Sequence, residues 1–339
     1  MIEVKGKAGI VARIIADSIS EAGVRLTTFE IEYPRFVHSE ILTHRMLSRN
    51  SASSRAIPFA KMQEQITARP VRFGEANKGM QDKGEEYDAS IAFGETGYVG
   101  HGEYDYVCNF YTPSEFWDEA KESAINYSKA FRDAGYHKQV YNRLTEAFQM
   151  MKTVITGTEW DNFFWLRDDD AADPSIAELA RCMKEAREQS VPQVLKAGQW
   201  HLPYVEWTTA DCDGTMYYKN NDGEFEFITL ENAIKISCAR SCAVSFRNND
   251  YGLEKSLEVF ERLVGDEKKH GSALEHCATP MKPKHNGYYK SENVNVPRYT
   301  ESWQQGISHV DREGNLWSGN FKGWVQYRKT VVGENYKAA

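Results

Sequence analysis

None of the six cysteines stands in a C-x-x-C pair, and none is followed by histidine. The first absence argues against a disulfide or zinc framework and for reduced thiols in a cytosolic protein. Cys238 and Cys242, four apart, then read as core residues on one helix face. No stretch is apolar enough over enough residues to span a membrane. Met1 to Ile15 lacks the apolar run of a leader or anchor, so the expected location is the cytoplasm. An excess of positive charge is missing too: the formal net charge is -8, which argues against non-specific nucleic-acid binding as the main task, since that needs a broad basic face. The H-E-x-x-H order is absent around His38, Glu40 and His44, and His38 and His44, six apart, fall on different helix faces, so no metal is expected. With no internal repeat and no low-complexity linker, the chain reads as one α/β (α+β) domain over residues 1–339. Surface insertions are expected at 82–112 and 206–229. The content of 27% charged and 41% hydrophobic residues is that of an ordinary globular protein.

Against this acidic background stands His44-Arg45-Met46-Leu47-Ser48-Arg49-Asn50-Ser51-Ala52-Ser53-Ser54-Arg55. It holds three arginines, one histidine, four hydroxyls and no acid. Forked guanidinium donors beside serines suit one phosphate or a nucleotide; the plain alternative is a solvated basic loop.

Hydrophobic patterning places this segment. Residues 9–16 read as a strand and 17–23 as a connection. Arg25 to Tyr33 is a strand in which Phe29, Ile31 and Tyr33 alternate with Glu30 and Glu32. Pro34 opens a helix expected from Arg35 to about Leu47, with Val37, Ile41 and His44 on its inner stripe and Glu40 four residues before His44 to orient it. Further helices are expected over 58–67, over 114–134 (face Phe116, Ala120, Ala124, Tyr127, Phe131) and from Arg143 through Met151. Asp173 caps another, with Pro174 first and Ile176, Leu179, Ala180 and Met183 as its stripe. Helices over 230–243 and 253–264 follow a hairpin whose tip is 219–224.

Three blocks together resemble the flavin-dependent thymidylate synthases. That family's signature is Arg-His-Arg, seven residues, then Ser, with Arg two further on. His44, Arg45, Ser53 and Arg55 match it, and Thr43 replaces the first arginine. Asn-x-x-x-Leu-Arg stands as Asn162 to Arg167, and a block like His-x-Thr-Pro-x-Glu-His stands as His270 to His276. This last block and the strand start Ala243-Val244-Ser245-Phe246 follow the signature instead of preceding it, as in the longer phage-type members. The likeness covers roughly residues 8–81, 115–204 and 231–328.

The resemblance implies an α+β fold with a central mixed or antiparallel sheet, assembled as a homotetramer whose active sites are shared between protomers. It implies FAD as cofactor, with methylenetetrahydrofolate and NADPH as co-substrates. His44, Arg45, Ser51, Ser272 and Glu275, with Asn162 from a neighbouring subunit, would meet the flavin, and His270 matches a folate-contact position. Glu40, Ser53, Ser54, Arg55 and Arg143 would hold the pyrimidine nucleotide. Arg167 would face the pyrimidine carbonyl edge and stabilise charge on the ring. Ser53 is also a candidate reacting hydroxyl, although no His–acid pair supports it and the phosphate role suits it better. The chemistry is C5-methylation of dUMP to dTMP. Ordinary thymidylate synthases attack C6 with a cysteine in a Pro-Cys-His context that this chain lacks, whereas a reduced flavin supplies hydride without a nucleophile.

The chain departs from the family after Leu166-Arg167. A family His and the Gln and Glu of Ala-Gln-x-Glu are missing from Asp168 to Ser175, where Asp169, Asp173 and Ser175 stand. An aspartate accepts from an amino group and offers nothing to a carbonyl. The same residues therefore admit C5-methylation or hydroxymethylation of a related nucleotide such as dCMP. They also admit a flavin- or nucleotide-binding protein without turnover.

Overall fold

The computed structural model describes residues 2–81, 83–100, 103–209, 216–219, 224–244, 252–265, 269–282, 288–290, 295–297 and 303–334. Ser245 and Phe246 of the strand-start block, Cys212, and residues 220–223 of the hairpin tip lie outside them. The N-terminal alternation gives β1 (Glu3–Lys5), β2 (Val11–Ser20) and β3 (Arg25–Pro34), paired antiparallel. β2 runs on to Ser20, so Asp17 to Ser20 are strand and not connection. The helix expected over 35–47 is shorter: a 3-10 turn leads into α1 (His38–Thr43), and the chain then turns into β4 (Ser48–Ser51). α2 (Phe59–Gln63) is likewise shorter than expected.

Inside the insertion, β5 (Ile91–Gly100) and β6 (Glu103–Tyr111) pair with each other as a hairpin. α3 (Pro113–Asp133) follows, closed at its start by Thr112 and Glu115 in a capping box. Its buried residues are Ile125 and Ser128, while Tyr127 and Phe131 of the expected face are exposed. The helix expected to reach Met151 stops early. α4 (Lys138–Tyr141) and a 3-10 stretch to Phe148 give way to β7 (Met150–Gly157). Then come α5 (Asp161–Arg167), α6 (Pro174–Gln189), β8 (Gln193–Leu195) and a small sheet of β9 (Trp207–Thr209), β10 (Met216–Lys219) and β11 (Phe225–Phe227). α7 (Leu230–Ala243) and α8 (Leu253–Val264) match the sequence reading, and β12 (Ala278–Pro280) pairs with the strand Trp324–Gln326.

The architecture is α+β. The central sheet runs β1-β2-β3-β7-β4, antiparallel throughout, with β8 parallel beside the end of β2. One face is apolar: Ala12, Phe29, Ile31, Tyr33 and Ile155 pack on Ile176, Leu179, Ala180 and Met183 of α6, all fully buried. Each large side chain so buried contributes about 2 kcal/mol. Asp173 accepts from the N–H groups of Ser175 and Ile176 and starts α6 where Pro174 needs no donor.

The opposite face is buried as well, but polar. Ser18, His201, Thr28, Thr156 and His276 form one row of hydrogen bonds: Ser18 Oγ to His201 Nδ1 at 2.8 Å, His201 Nε2 to Thr28 at 2.7 Å, Thr28 to Thr156 at 2.8 Å, Thr156 to His276 Nδ1 at 2.8 Å. His276 Nε2 has no partner among the described residues. Beside the row, Glu30 is held by Arg13, Lys152 and the Tyr204 hydroxyl. Burial pushes both histidines from an ordinary 6.5 down to about 3. Below about pH 6.5 the unfolded chain binds two protons that the folded chain refuses until near 3. Stability present above that window is therefore lost as pH falls through it, by about 1.4 kcal/mol per pH unit for each histidine. Denaturant unfolding followed from pH 7.5 to 4.5 is expected to show this steep decline; a flat profile would contradict it.

Candidate functional site

α1 is only six residues long, and its end is closed by a side chain from the next strand. Arg49 Nη1 donates to the carbonyls of Ile41 (3.0 Å), Leu42 (3.2 Å) and His44 (2.8 Å). These carbonyls lie in the last turn and cap of α1, where helix N–H donors run out; those of Ile41 and His44 also accept from the N–H groups of His44 and Leu47. The chain can then turn at His44, bury Leu47 and enter β4. Arg49, one of the three arginines of the basic segment, is thus a structural clamp. Its role is set by a tertiary turn that composition does not display.

The clamp fixes His44 where α5 meets it. Arg167, at the end of α5, donates from Nε to His44 Nε2 (3.0 Å), from Nη1 to Glu40 (2.5 Å) and from Nη2 to the Thr43 hydroxyl (3.3 Å). Phe163, one turn earlier, sets its ring edge-on to His44 at 4.9 Å. Glu40 reaches His44 through Arg167, not by the direct i, i+4 contact expected. Burial, with the Arg167 and Arg49 guanidiniums, pushes His44 down to about 4, so the ring is neutral at pH 7. Burial raises the Glu40 carboxyl; Arg167 opposes this and nearby Asp173 adds to it. Thr43, which replaces the first arginine of the signature, therefore accepts from the arginine of another block.

Further along β4, Asn50 donates to the Ser241 carbonyl at 2.7 Å, and Ser272 Oγ lies 3.4 Å from Asn50 Oδ1. Glu275 forms an ion pair with Arg328, which also binds Glu334 at 2.8 Å. The Glu275 carbonyl accepts from Gln326, tied in turn to Ser48 and Asn320. Ser51 accepts from Thr153, whose hydroxyl meets Tyr33, and Tyr33 meets His38 Nδ1 at 2.7 Å. None of Arg328, Gln326, Thr153 or Tyr33 was signalled by a sequence motif.

After β4, the loop of Ser53, Ser54 and Arg55 is strapped to the segment carrying Arg143. Asn142 donates to the carbonyls of Ser54 and Ile57, and Lys138 to that of Ala56. Ser54 donates to Glu146, itself paired with Arg35 at 2.9 Å. Arg143 is exposed and donates to the Gln139 carbonyl. Arg45 and Arg55 are exposed, and neither guanidinium has a partner among the described residues; nor does the Ser53 hydroxyl. These are the cations and hydroxyl left for an anion.

Two residues of the expected set stand apart. Asn162 lies on the outer face of α5 with Leu166 and with Trp165, which is 75% exposed. His270 is exposed ahead of the 3-10 turn that carries Ser272 and Glu275. Where the family pattern is broken, Asp169 accepts from the Ala171 N–H, Asp173 caps α6, and Ser175 is buried against the Val71 N–H. Among the described residues no group of three or more His, Cys, Asp or Glu could hold a metal ion, and no helix is long and apolar enough to cross a membrane.

One short edge strand and the turns at its two ends therefore gather Glu40, His44, Ser51, Ser53, Ser54, Arg167, Ser272 and Glu275 from four parts of the chain. No protein-family model matches this chain, and no curated protein matches it.

Proposed function

We propose that this protein is a flavin-dependent pyrimidine-nucleotide C5-methyltransferase of the thymidylate synthase type. It would convert dUMP to dTMP with methylenetetrahydrofolate as carbon donor and NADPH as reductant, as a cytoplasmic homotetramer. The observation that carries this reading is the 3.0 Å contact between Arg167 and His44. It joins two motif blocks that are far apart in sequence at one point. The donor set fits the cofactor: a neutral imidazole, the free Arg45 guanidinium and the Ser272 hydroxyl suit the carbonyls, ring nitrogens and phosphates of FAD. When bound, FAD would supply the hydride that completes the methyl group.

The chain's own residues would bind and polarise. Arg55 and Arg143 hold the monophosphate, with Ser53 beside them. Arg167 offers a fixed cation where negative charge develops on the pyrimidine ring. No thiolate is called for, and burial keeps the Cys182, Cys238 and Cys242 thiols above their ordinary range. Cys238 lies 3.6 Å from Cys277, and both are fully buried, consistent with packing. The exposed apolar face at Trp165 and Leu166, which also carries Asn162, suits cover by a neighbouring protomer.

Tritium release from C5-labelled dUMP, with methylenetetrahydrofolate and NADPH present, tests the reading directly. Release from dCMP instead would favour the related reaction, for which the acceptor-only carboxylates of Glu40, paired with Arg167, and of Asp173, near Glu40, are the supporting observation. A yellow protein that releases no tritium from either would be a binding protein. Arg55→Ala is expected to weaken dUMP binding about 10- to 100-fold by calorimetry while flavin content is unchanged, the worth of a charge-assisted hydrogen bond. Unaltered affinity would remove Arg55 from the site.

A further inference from the structure

His44 has two ring nitrogens, and the described residues use one. A guanidinium carries donors and no acceptor, so in the contact of Arg167 Nε with His44 Nε2 the hydrogen belongs to arginine. Nε2 is therefore a bare acceptor. The ring is neutral, so its single hydrogen is on Nδ1. Free imidazole side chains prefer the opposite arrangement, so the protein has selected the less common form. No described residue takes the Nδ1 hydrogen. Arg167 cannot drift from this contact without also leaving Glu40 and Thr43, because all three nitrogens of the guanidinium are engaged at once. The charged groups around the ring are Arg167 from α5 and Arg49 from β4, with Glu40 from α1 on Arg167, Asp173 near Glu40 and Glu275 near Arg49.

We propose that Arg167 fixes His44 as the Nδ1–H tautomer, so that His44 meets its ligand as a hydrogen-bond donor, and that Glu40 is a positioning residue acting through Arg167. The matching ligand group is an acceptor: a ring carbonyl oxygen or an unprotonated ring nitrogen of a heteroaromatic cofactor. Identifying that cofactor as a flavin rests on the function proposed above; the tautomer does not.

Nitrogen-15 NMR of histidine-labelled protein, without added cofactor, reads the tautomer. The His44 signals are assigned by their loss in His44→Asn. At pH 7 the expected result is a protonated Nδ1 and a bare Nε2. An Nε2–H ring, or a charged one, in the wild-type protein overturns the proposal without any variant. In Arg167→Ala the balance is expected to move towards Nε2–H and the ring to titrate closer to 6.5; an unchanged tautomer there also overturns it. Glu40→Gln, whose amide oxygen still accepts from Arg167, is expected to keep the wild-type tautomer, and Glu40→Ala to give a mixture. A purely structural Glu40 would leave both spectra alike.

Flavin binding supplies a second readout. An asparagine amide nitrogen falls near the place of Nδ1, a glutamine nitrogen near that of Nε2. His44→Asn is expected to hold FAD within about threefold of wild type and His44→Gln to lose about tenfold, the worth of one hydrogen bond. Equal losses overturn the donor role. If the wild-type protein takes up no FAD while the spectrum shows Nδ1–H, the proposed function falls and the tautomer assignment stands.

Discussion

Arg167→Ala is expected to lower kcat by at least about 10²- to 10³-fold, the range seen when one preorganised stabiliser of developing charge is removed. FAD is expected to stay bound, at most about tenfold weaker through the freed His44. The variant should fold. The Arg167–Glu40 pair is partly exposed, and pairs of that kind contribute about 1 kcal/mol or less. The loss is therefore expected in kcat, with dUMP affinity changed less, because the phosphate is held by other arginines. Arg167→Lys keeps the charge but cannot reach Glu40, Thr43 and His44 together, so it should fall between the two. Turnover within tenfold of wild type in Arg167→Ala would take the residue out of the chemistry.

The second large effect belongs to the core. Trp160→Ala is expected to destabilise the protein by about 3–5 kcal/mol. Trp160 is fully buried between sheet and helix: its ring meets Phe29 edge-on at 5.0 Å, Phe163 at 6.1 Å and, stacked, Phe164 at 5.9 Å. Its indole N–H donates to the Gly157 carbonyl at 2.8 Å, so the substitution also leaves a buried acceptor without its donor. The space cannot readily be refilled from the glycine. A Cβ at Gly157 would lie 2.5 Å from Leu47, which anchors the turn after His44. Because Phe163 bears on His44 and Arg167 ends the same helix, activity should fall together with stability. Urea unfolding measures the first quantity, and a loss below 1 kcal/mol would refute the estimate.

How much of this was legible depends on the range of the forces involved. Asp173-Pro174 followed by Ile176, Leu179, Ala180 and Met183 carries its own start signal and its own period, and α6 is where they placed it. α8 shows its own period without a side-chain cap, and α7 matches in its bounds although it is buried on most sides and carries no such stripe. β7 was not. Met150 to Gly157 is buried on both faces between β3 and β4, so its apolar residues show no alternation and run on from a preceding helical turn. At the site, motif spacing singled out His44 and Arg167 but could not say that they touch. Arg49 was misjudged because charge counts cannot tell a guanidinium facing solvent from one closing a helix. Arg328 and Gln326, which fasten Glu275, come from the last strand and the 3-10 turn that follows it, and leave no local mark. The histidine row joins residues from five separate segments, and only the folded sheet aligns them.

That row has a property its atoms alone do not announce. Thr28 and Thr156 each own a single hydrogen, and when both place it within the row only two layouts exist. Either every hydrogen points from β2 towards His276, or every one points back. A lone reversal midway would leave two hydrogens in one gap and none in the next. Polarity across three strands therefore flips as a unit, with no heavy atom displaced, and the imidazole at the far end shows which way the whole file is facing.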